Sequence, residues 1–492
     1  MIVIGFEESG VMEFIADTHY LGNDNKHHFI EDYDQNKSRV RIESFQRYAP
    51  NKIYNIGSKS VICLNEECME EVVEIHMDTI RVMESDFIPV PTQRVPVYLS
   101  RYGLYSDFYN DTAQHGLDNE MLVDILVQGD RFEAVQKASS FADDVYETLE
   151  VIDAEGRWVT PGLIDSATSI GLVDVPGLGI SSDNQVEDFP LGAGFSVSLA
   201  LNPDSSLIAM APTDGITRGV IVPAPGNSNY AGQSSVVEFS GHAEFVFYTD
   251  NAVHLYLRER DRKFAGGSRA AALYSALFGL RESQRYSQNR RAFAANKLRP
   301  FNLSEADLKA LAKVVSGQLV LAVHVDRAAD IRSVLTALAE FEGIRPVLMG
   351  ATEAWKLADD LASGRVSVVL NVLDNTPDNF DKLGARLDNA AILSAAGVRI
   401  AFMSSTPFSE FRSLTQAAGV AVANGLPFKR ALQAITSSPA QIWGLDSLGS
   451  IEPDGIADLV IWDGDPLELM SAPVKTMING NWVESRTRQS LL

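Results

Sequence analysis

Cysteine is nearly absent from this chain: 492 residues hold only Cys63 and Cys68, in Cys-Leu-Asn-Glu-Glu-Cys. That excludes a disulfide-stapled scaffold and fits a reducing compartment. A zinc site on these two thiols needs two further N or S ligands, and His76 is the only nearby candidate. The pair is therefore expected to be free structural thiols, with a disulfide or a metal clip as the alternatives. Long apolar runs are missing too, and none approaches the roughly 20 residues that cross a bilayer. The start, Met-Ile-Val-Ile-Gly-Phe-Glu-Glu, lacks the basic region of a secretory signal and meets acid early. A cytoplasmic location is expected for the chain as written, or a periplasmic one if the natural start differs. Positive charge is scarce, with 41 Lys and Arg against 65 Asp and Glu, a net charge of -24. Nucleic acid and anionic membranes reward clustered Lys and Arg, so neither is expected as a partner. There is no internal repeat, no low-complexity segment and no dinucleotide-binding turn. Gly266-Gly-Ser268 reads as a helix entrance.

What is present is a globular composition, 46% hydrophobic and 22% charged, in a chain long enough for two or three folding units. From about residue 318 the pattern becomes regular. Gln318-Leu-Val-Leu-Ala-Val-His324-Val is a continuous apolar run, as in a strand buried on both faces. Ile331, Val334, Leu335, Leu338 and Phe341 then recur at helical spacing. Strand-like 345–349, 366–372 and 398–403 follow, separated by helix-like 353–361, 383–396 and 411–423. Four strand-helix units in succession imply a parallel sheet with right-handed crossovers. Upstream, 162–165, 217–222 and 252–257 supply further strands, and Ser268 is placed to cap a helix over 270–280. Residues 162–444 have about the length of a (β/α)8 TIM barrel, and a doubly wound open sheet is the structural competitor.

Two flanks read as β-structure, 125–135 with 149–156 before the barrel and 457–462 with 474–480 after it. Tight Gly and Asn-Gly turns suggest hairpins that pair with each other and close one small sheet from both ends. The expected division is an unassigned segment 1–118, a composite β-sandwich from 119–161 and 445–492, and a barrel over 162–444. Residues 1–118 hold five of the eight histidines and no sustained period, and Pro89, Pro91 and Pro96 interrupt their one long β-like stretch. His27, His28 and His76 there are expected to be solvated.

These motifs resemble a known family. Gly129-Asp-Arg followed by Val151-Ile-Asp-Ala-Glu-Gly-Arg-Trp-Val-Thr-Pro-Gly-Leu-Ile-Asp165 is similar to the entry of the amidohydrolase superfamily, particularly its imidazolonepropionase-like branch. Ala431-Leu-Gln-Ala-Ile-Thr-Ser-Ser-Pro-Ala440 and Leu448-Gly-Ser-Ile-Glu-Pro-Asp-Gly-Ile-Ala-Asp-Leu-Val-Ile-Trp-Asp-Gly-Asp-Pro-Leu467 resemble its close. The resemblance covers residues 120–492 and implies a barrel with a composite β-sandwich. It also implies hydrolysis of non-peptide C–N bonds in cyclic amides, N-acyl compounds or dipeptides, and dimers are usual among such proteins. The metals of the superfamily sit at strand C-terminal ends on His-x-His after strand 1, Lys or carboxylate after strand 4, His after strands 5 and 6, and Asp after strand 8. Such a divalent ion, zinc for example, makes hydroxide near neutral pH and polarises the scissile carbonyl.

Position by position, most of those ligands are missing. Ala167 and Ser169 stand at the first pair, Gly350 near the strand-6 histidine, and Ser404 or Ser405 at the strand-8 aspartate. His324 alone is retained, so no bound metal is expected. His242 and His254 are the other barrel histidines, and neither belongs to a His-x-His pair. A relocated metal would have to use His324 with Asp326, Asp374 or Glu353. Arg327 and Asp330 are expected to form a salt bridge that orients the crossover helix.

Two functions remain open from the sequence. One is hydrolysis without the usual metal pair: His324, Asp165 and Asp326 are the candidate catalytic residues, with a serine as nucleophile, His324 as base and either aspartate orienting it. Ser166, Thr168, Ser169, Ser404 and Ser405 would then line the substrate pocket. The other is a catalytically silent relative that binds a small ligand, or partners an active paralogue or a second copy of itself.

Overall fold

In the computed structural model of the 492-residue chain the described residues are several short strands before residue 105, then 123–137, 150–173, 181–242, 245–374, 376–404 and 413–483. The chain divides into two compact units, Met1–Pro96 and Val97–Leu492. Within the first, Ile30–Asp34, Arg39–Ile42 and Val73–His76 form an antiparallel sheet, and Ile53–Ile56 pairs with Lys59–Ile62. Cys63, Cys68, His27, His28 and the proline stretch lie outside the described residues.

The second unit is built around an eight-stranded sheet in sequence order: β1 (Leu163–Thr168), β2 (Ile216–Ile221), β3 (Tyr230–Glu238), β4 (Val246–Tyr256), β5 (Val320–Val325), β6 (Arg345–Gly350), β7 (Ser367–Leu370) and β8 (Ile400–Phe402). It curls into a nearly closed TIM-like barrel. The β1–β8 seam is bridged by the main chain at 434–435, because Ile164 N donates to Ile435 O at 2.9 Å and Phe402 N to Ala434 O at 2.8 Å.

One strand departs from the expected all-parallel order. β3 runs antiparallel to both β2 and β4, while β1 with β2 and β4 through β8 are parallel. The reason is chain length. Residues 222–229 and 239–245 are too few for parallel crossovers, which take a dozen or more residues, so β2, β3 and β4 form a meander.

The regular half follows its apolar pattern. All six residues of β5 are buried, as a strand covered on both faces requires. α1 (Arg269–Gln288) begins where Ser268 accepts a hydrogen bond from Ala271 N, and the Gly266 and Gly267 turn is its entrance. α2 (Glu305–Val315) is capped by Ser304, which accepts from Asp307 N at 3.1 Å. α3 (Ala328–Leu338) carries the Arg327–Asp330 salt bridge at its start, 2.6 Å at closest.

Two apolar layers result. Val253, Leu255, Leu321, Val323 and Leu348 face the helices, whereas Ile164, Val220, Val236, Ala252, Ala322, Met349 and Ala401 fill the barrel. α4 (Ser437–Trp443) contributes Ala440, Ile442 and Trp443 to that interior.

The flanking segments join as anticipated in part. Trp158–Pro161 pairs antiparallel with Leu459–Trp462, which continues through Pro473–Ile478 to Asn481–Val483. Val123–Gln128 and Arg131–Lys137 form a separate hairpin, and 150–157 is irregular rather than a strand. A buried polar network ties the sheet to the barrel: Arg218 of β2 donates to both Asp458 carboxylate oxygens at 2.7 and 3.1 Å, to Glu238 of β3 at 2.8 Å and to Asn479. One guanidinium here faces two carboxylates, and the neutral Asn479 amide supplies a further donor to Glu238, so the desolvation of the group is offset by hydrogen bonds as well as by charge. Among the described residues no helix is long and apolar enough to cross a membrane.

Candidate functional site

The C-terminal ends of the barrel strands hold most of the polar residues singled out in the sequence. His324, next to last in β5, points into the barrel with Ala322 below it. Strand β4 lies alongside in parallel register, Tyr256 opposite His324 and His254 opposite Ala322. This places His254 diagonally below His324, and His254 Nδ1 lies 2.9 Å from His324 Nε2. Tyr256 covers the other face of His324, with ring centroids 3.7 Å apart and planes within 7°, and its hydroxyl donates to Pro223 O at 2.6 Å. Trp443 stacks beyond His254 at 6.4 Å. An aromatic column thus runs from the mouth of the barrel into its interior.

Burial decides the charge of this column. It pushes His254 down to about 3. It also holds His324 well below the usual imidazole range, with help from His254, Arg258 and Arg260. Both rings are neutral at physiological pH. Each neutral imidazole carries one N–H, so the contact between them uses the proton of one ring and the lone pair of the other.

Asp165 and Ser404 form a second pair. Asp165 Oδ2 accepts from Ser404 Oγ at 2.6 Å, and Oδ1 accepts from the backbone of Ser404 at 3.1 Å and Ala167 at 3.2 Å. Burial nevertheless pushes the carboxyl up to about 6, against the pull of those three donors. Asp326 accepts from Thr352 Oγ1 at 3.1 Å. Burial raises this carboxyl also, the nearby charges of Arg258 and Lys382 offsetting part of the effect.

The residues singled out in the sequence thus lie at strand ends, but their partnerships differ from those expected. Among the described residues the expected arrangement of serine, His324 and an aspartate is not assembled. His324 bonds to His254, whereas Asp165 bonds to Ser404 and Asp326 to Thr352. Ser166, Thr168 and Ser169 are buried on and just after β1, and Ser405 lies outside the described residues. His254 and Tyr256 were missed as site residues because their relation to His324 runs across strands. The available signal was alternation, since 252, 254 and 256 share the inward face of β4 just as 320, 322 and 324 share that of β5.

A metal does not fit these residues. No group of three or more His, Cys, Asp or Glu among the described residues is arranged to hold one. The carboxylates that a relocated site would need are committed elsewhere: Asp374 receives Lys382 Nζ at 2.6 Å, and Glu353 receives Gly384 N at 2.7 Å, Lys356 Nζ at 2.8 Å and Ala328 N at 3.0 Å. Gly350, where the resemblance implies a histidine, has φ of +85°, and a Cβ there would stand 2.7 Å from Asp326 Oδ1.

This barrel and its closing strands have recognisable relatives. The sequence pattern of the amidohydrolase family matches residues 280–484. That match spans less than half of the chain and makes this part of it similar to the amidohydrolase family. Over 378 residues, 69% of its length, it is 25% identical to amidohydrolase tasK of Hapsidospora irregularis, although the match spans only 38% of that relative. It is 23% identical over 391 residues, 72% of the chain and 82% of the relative, to a 5-methylthioadenosine/S-adenosylhomocysteine deaminase of Bacillus cereus. Among solved structures, an amidohydrolase from Thermotoga maritima MSB8 superposes with a TM-score of 0.69 at 24% identity, covering 79% of this chain and 99% of that structure.

Proposed function

We propose that this amidohydrolase-like chain uses the mouth of its barrel to bind a small molecule without metal-assisted hydrolysis. The supporting observation is the His254–His324 contact at 2.9 Å. A strand-end histidine that ligates a metal must turn a ring nitrogen toward it, and His324 turns Nε2 to a second imidazole inside a water-excluding barrel. Partnership with an active paralogue or with a second copy is compatible with this reading. The test combines two measurements on the full chain: elemental analysis of native protein, and thermal shift with turnover assays across N-acyl amino acids, cyclic ureides and dipeptides. Stabilisation by a panel member without turnover and without stoichiometric metal is the expected result. A tightly held divalent ion, or turnover that depends on one, refutes it.

A second reading, metal-free hydrolysis of C–N bonds as the deaminase and amidohydrolase relatives suggest, draws on the Asp165–Ser404 pair. A carboxylate with a pKa of about 6 hydrogen-bonded at 2.6 Å to a serine hydroxyl has the geometry of a base and its nucleophile. It ranks second because so weak a base leaves the hydroxyl almost wholly protonated. Turnover by metal-free protein that disappears in Asp165→Asn would place it first.

A further inference from the structure

Arg258 stands two residues beyond the end of β4, directly above the column of Tyr256 and His324. Its guanidinium lies 4.8 Å from the Tyr256 ring centroid. One part of the group is committed, since Nε donates to Asp261 Oδ2 at 3.0 Å, and the Arg258 backbone N–H donates to the same oxygen at 3.2 Å. Nη2, by contrast, is buried and finds no acceptor among the described residues, although the side chain as a whole remains 19% exposed. An N–H of a charged group withheld from both water and protein is destabilising, so an acceptor is expected there. Asp261 bonds Nε instead, and Asp326 accepts from Thr352 through Oδ1.

We infer that Arg258 anchors a carboxylate-binding subsite over the C-terminal ends of β4 and β5, and that the ligand of the barrel mouth is a small monocarboxylate. This rests on the small-molecule reading above and names the class of ligand. A guanidinium edge matches the two coplanar oxygens of a carboxylate. Phosphate fits less well, because Lys382 is spent on Asp374 at 2.6 Å and Asp378 at 3.7 Å, and Arg260, the other cation nearby, is largely exposed and faces Asp261 at 3.8 Å. The net charge of -24 also repels a dianion more strongly than a monoanion. The Tyr256 ring beneath the guanidinium adds cation–π attraction.

The test uses the full chain near pH 7.5 and matched probes: N-acetyl-leucine, N-acetylproline, their primary amides, and inorganic phosphate. Titration calorimetry should show the acids binding at least about 10-fold more tightly than the amides. In Arg258→Gln that ratio should fall toward one while amide affinity holds, and Arg258→Lys, which keeps the charge but not the planar edge, should lie between. Equal binding of acid and amide by the wild type overturns the subsite and leaves the binding scaffold standing. So does an unchanged ratio in Arg258→Gln, or phosphate binding as tightly as the acids. Failure of every probe to bind overturns both. If Arg258→Gln does not fold, the acid-to-amide ratio of the wild type decides alone.

Discussion

Replacing His254 by Asn should change how the stability of this protein depends on pH more than it changes the stability itself. Asn sets an amide where imidazole Nδ1 lies, so a hydrogen bond to His324 can persist while the titrating ring is removed. Lost packing against Trp443 and its neighbours costs about 1–3 kcal/mol at neutral pH, in the range of large-to-small core substitutions. The pH term follows from burial. His254 titrates near 3 when folded and near 6.5 when unfolded. Its folded pKa is depressed, so on acidification the unfolded chain takes up the proton first. The stability it contributes is therefore complete above pH 6.5 and is lost as pH falls toward 3. At about 1.4 kcal/mol per unit, the loss between pH 7 and pH 5 is about 2 kcal/mol.

Asp165 works in the opposite direction over part of this range. Its folded pKa of about 6 exceeds the ordinary 3.8, so the folded state takes up the proton first and gains about 1.4 kcal/mol at pH 5. The stability of the wild type alone therefore mixes two signs. The difference between wild type and His254→Asn cancels Asp165 and isolates the histidine. Urea unfolding at pH 7, 6 and 5, followed by tryptophan fluorescence, should show the stability gap between the two proteins closing by about 2 kcal/mol. A gap that stays constant within about 0.5 kcal/mol would refute the claim that His254 is neutral and sealed in the barrel.

Three further substitutions probe other parts of the same unit. Asp165→Asn should stabilise the protein at pH 8, by up to about 3 kcal/mol, because it removes a charge that burial disfavours, and most of the gain should be gone near pH 4; denaturation at both pH values checks it. Arg218→Met leaves Asp458 and Glu238 buried without their cation and should cost about 3–5 kcal/mol, read as a lowered urea midpoint. Gly350→His should lower the melting temperature, since a positive φ costs a side chain about 1–3 kcal/mol and the new Cβ meets Asp326, and zinc should not restore it.

Much of the fold was legible because β5 and the units after it obey simple rules. An apolar run buried on both faces, followed by helical spacing, specifies strand and crossover helix almost without tertiary context, and β5 with α3 is the clearest instance. The reversal of β3 was not read, yet its cause was present in the sequence: residues 222–229 leave no room for a crossover helix. Tyr230–Glu238 also alternates poorly, and all nine of its residues are buried, so period alone gave no strand signal there. At the site the sequence located Asp165, His324, Asp326 and Ser404 at strand ends. It could not pair them, because pairing depends on register between strands. His254 has no neighbouring histidine in sequence, and it has one in space.

The pairings also explain why a single restored ligand would not build a metal site on this barrel. Metal binding is favourable only when several deprotonated ligands converge, and each must first give up its present partner. His324 would have to leave His254, exposing two buried ring nitrogens. Asp326 would have to leave Thr352 and make room for a side chain at Gly350. A carboxylate at position 404 would be set against Asp165, the acceptor of the present Ser404 hydroxyl. Each step alone breaks a buried hydrogen bond, at about 1–3 kcal/mol, before any second ligand exists to repay it. Among the described residues Asp165, His324 and Asp326 are thus each held by a partner within the chain, whereas Arg258 Nη2 above them is not. That buried donor carries a positive charge and stands at the mouth rather than deep in the barrel, so it is where the site calls for an atom from outside.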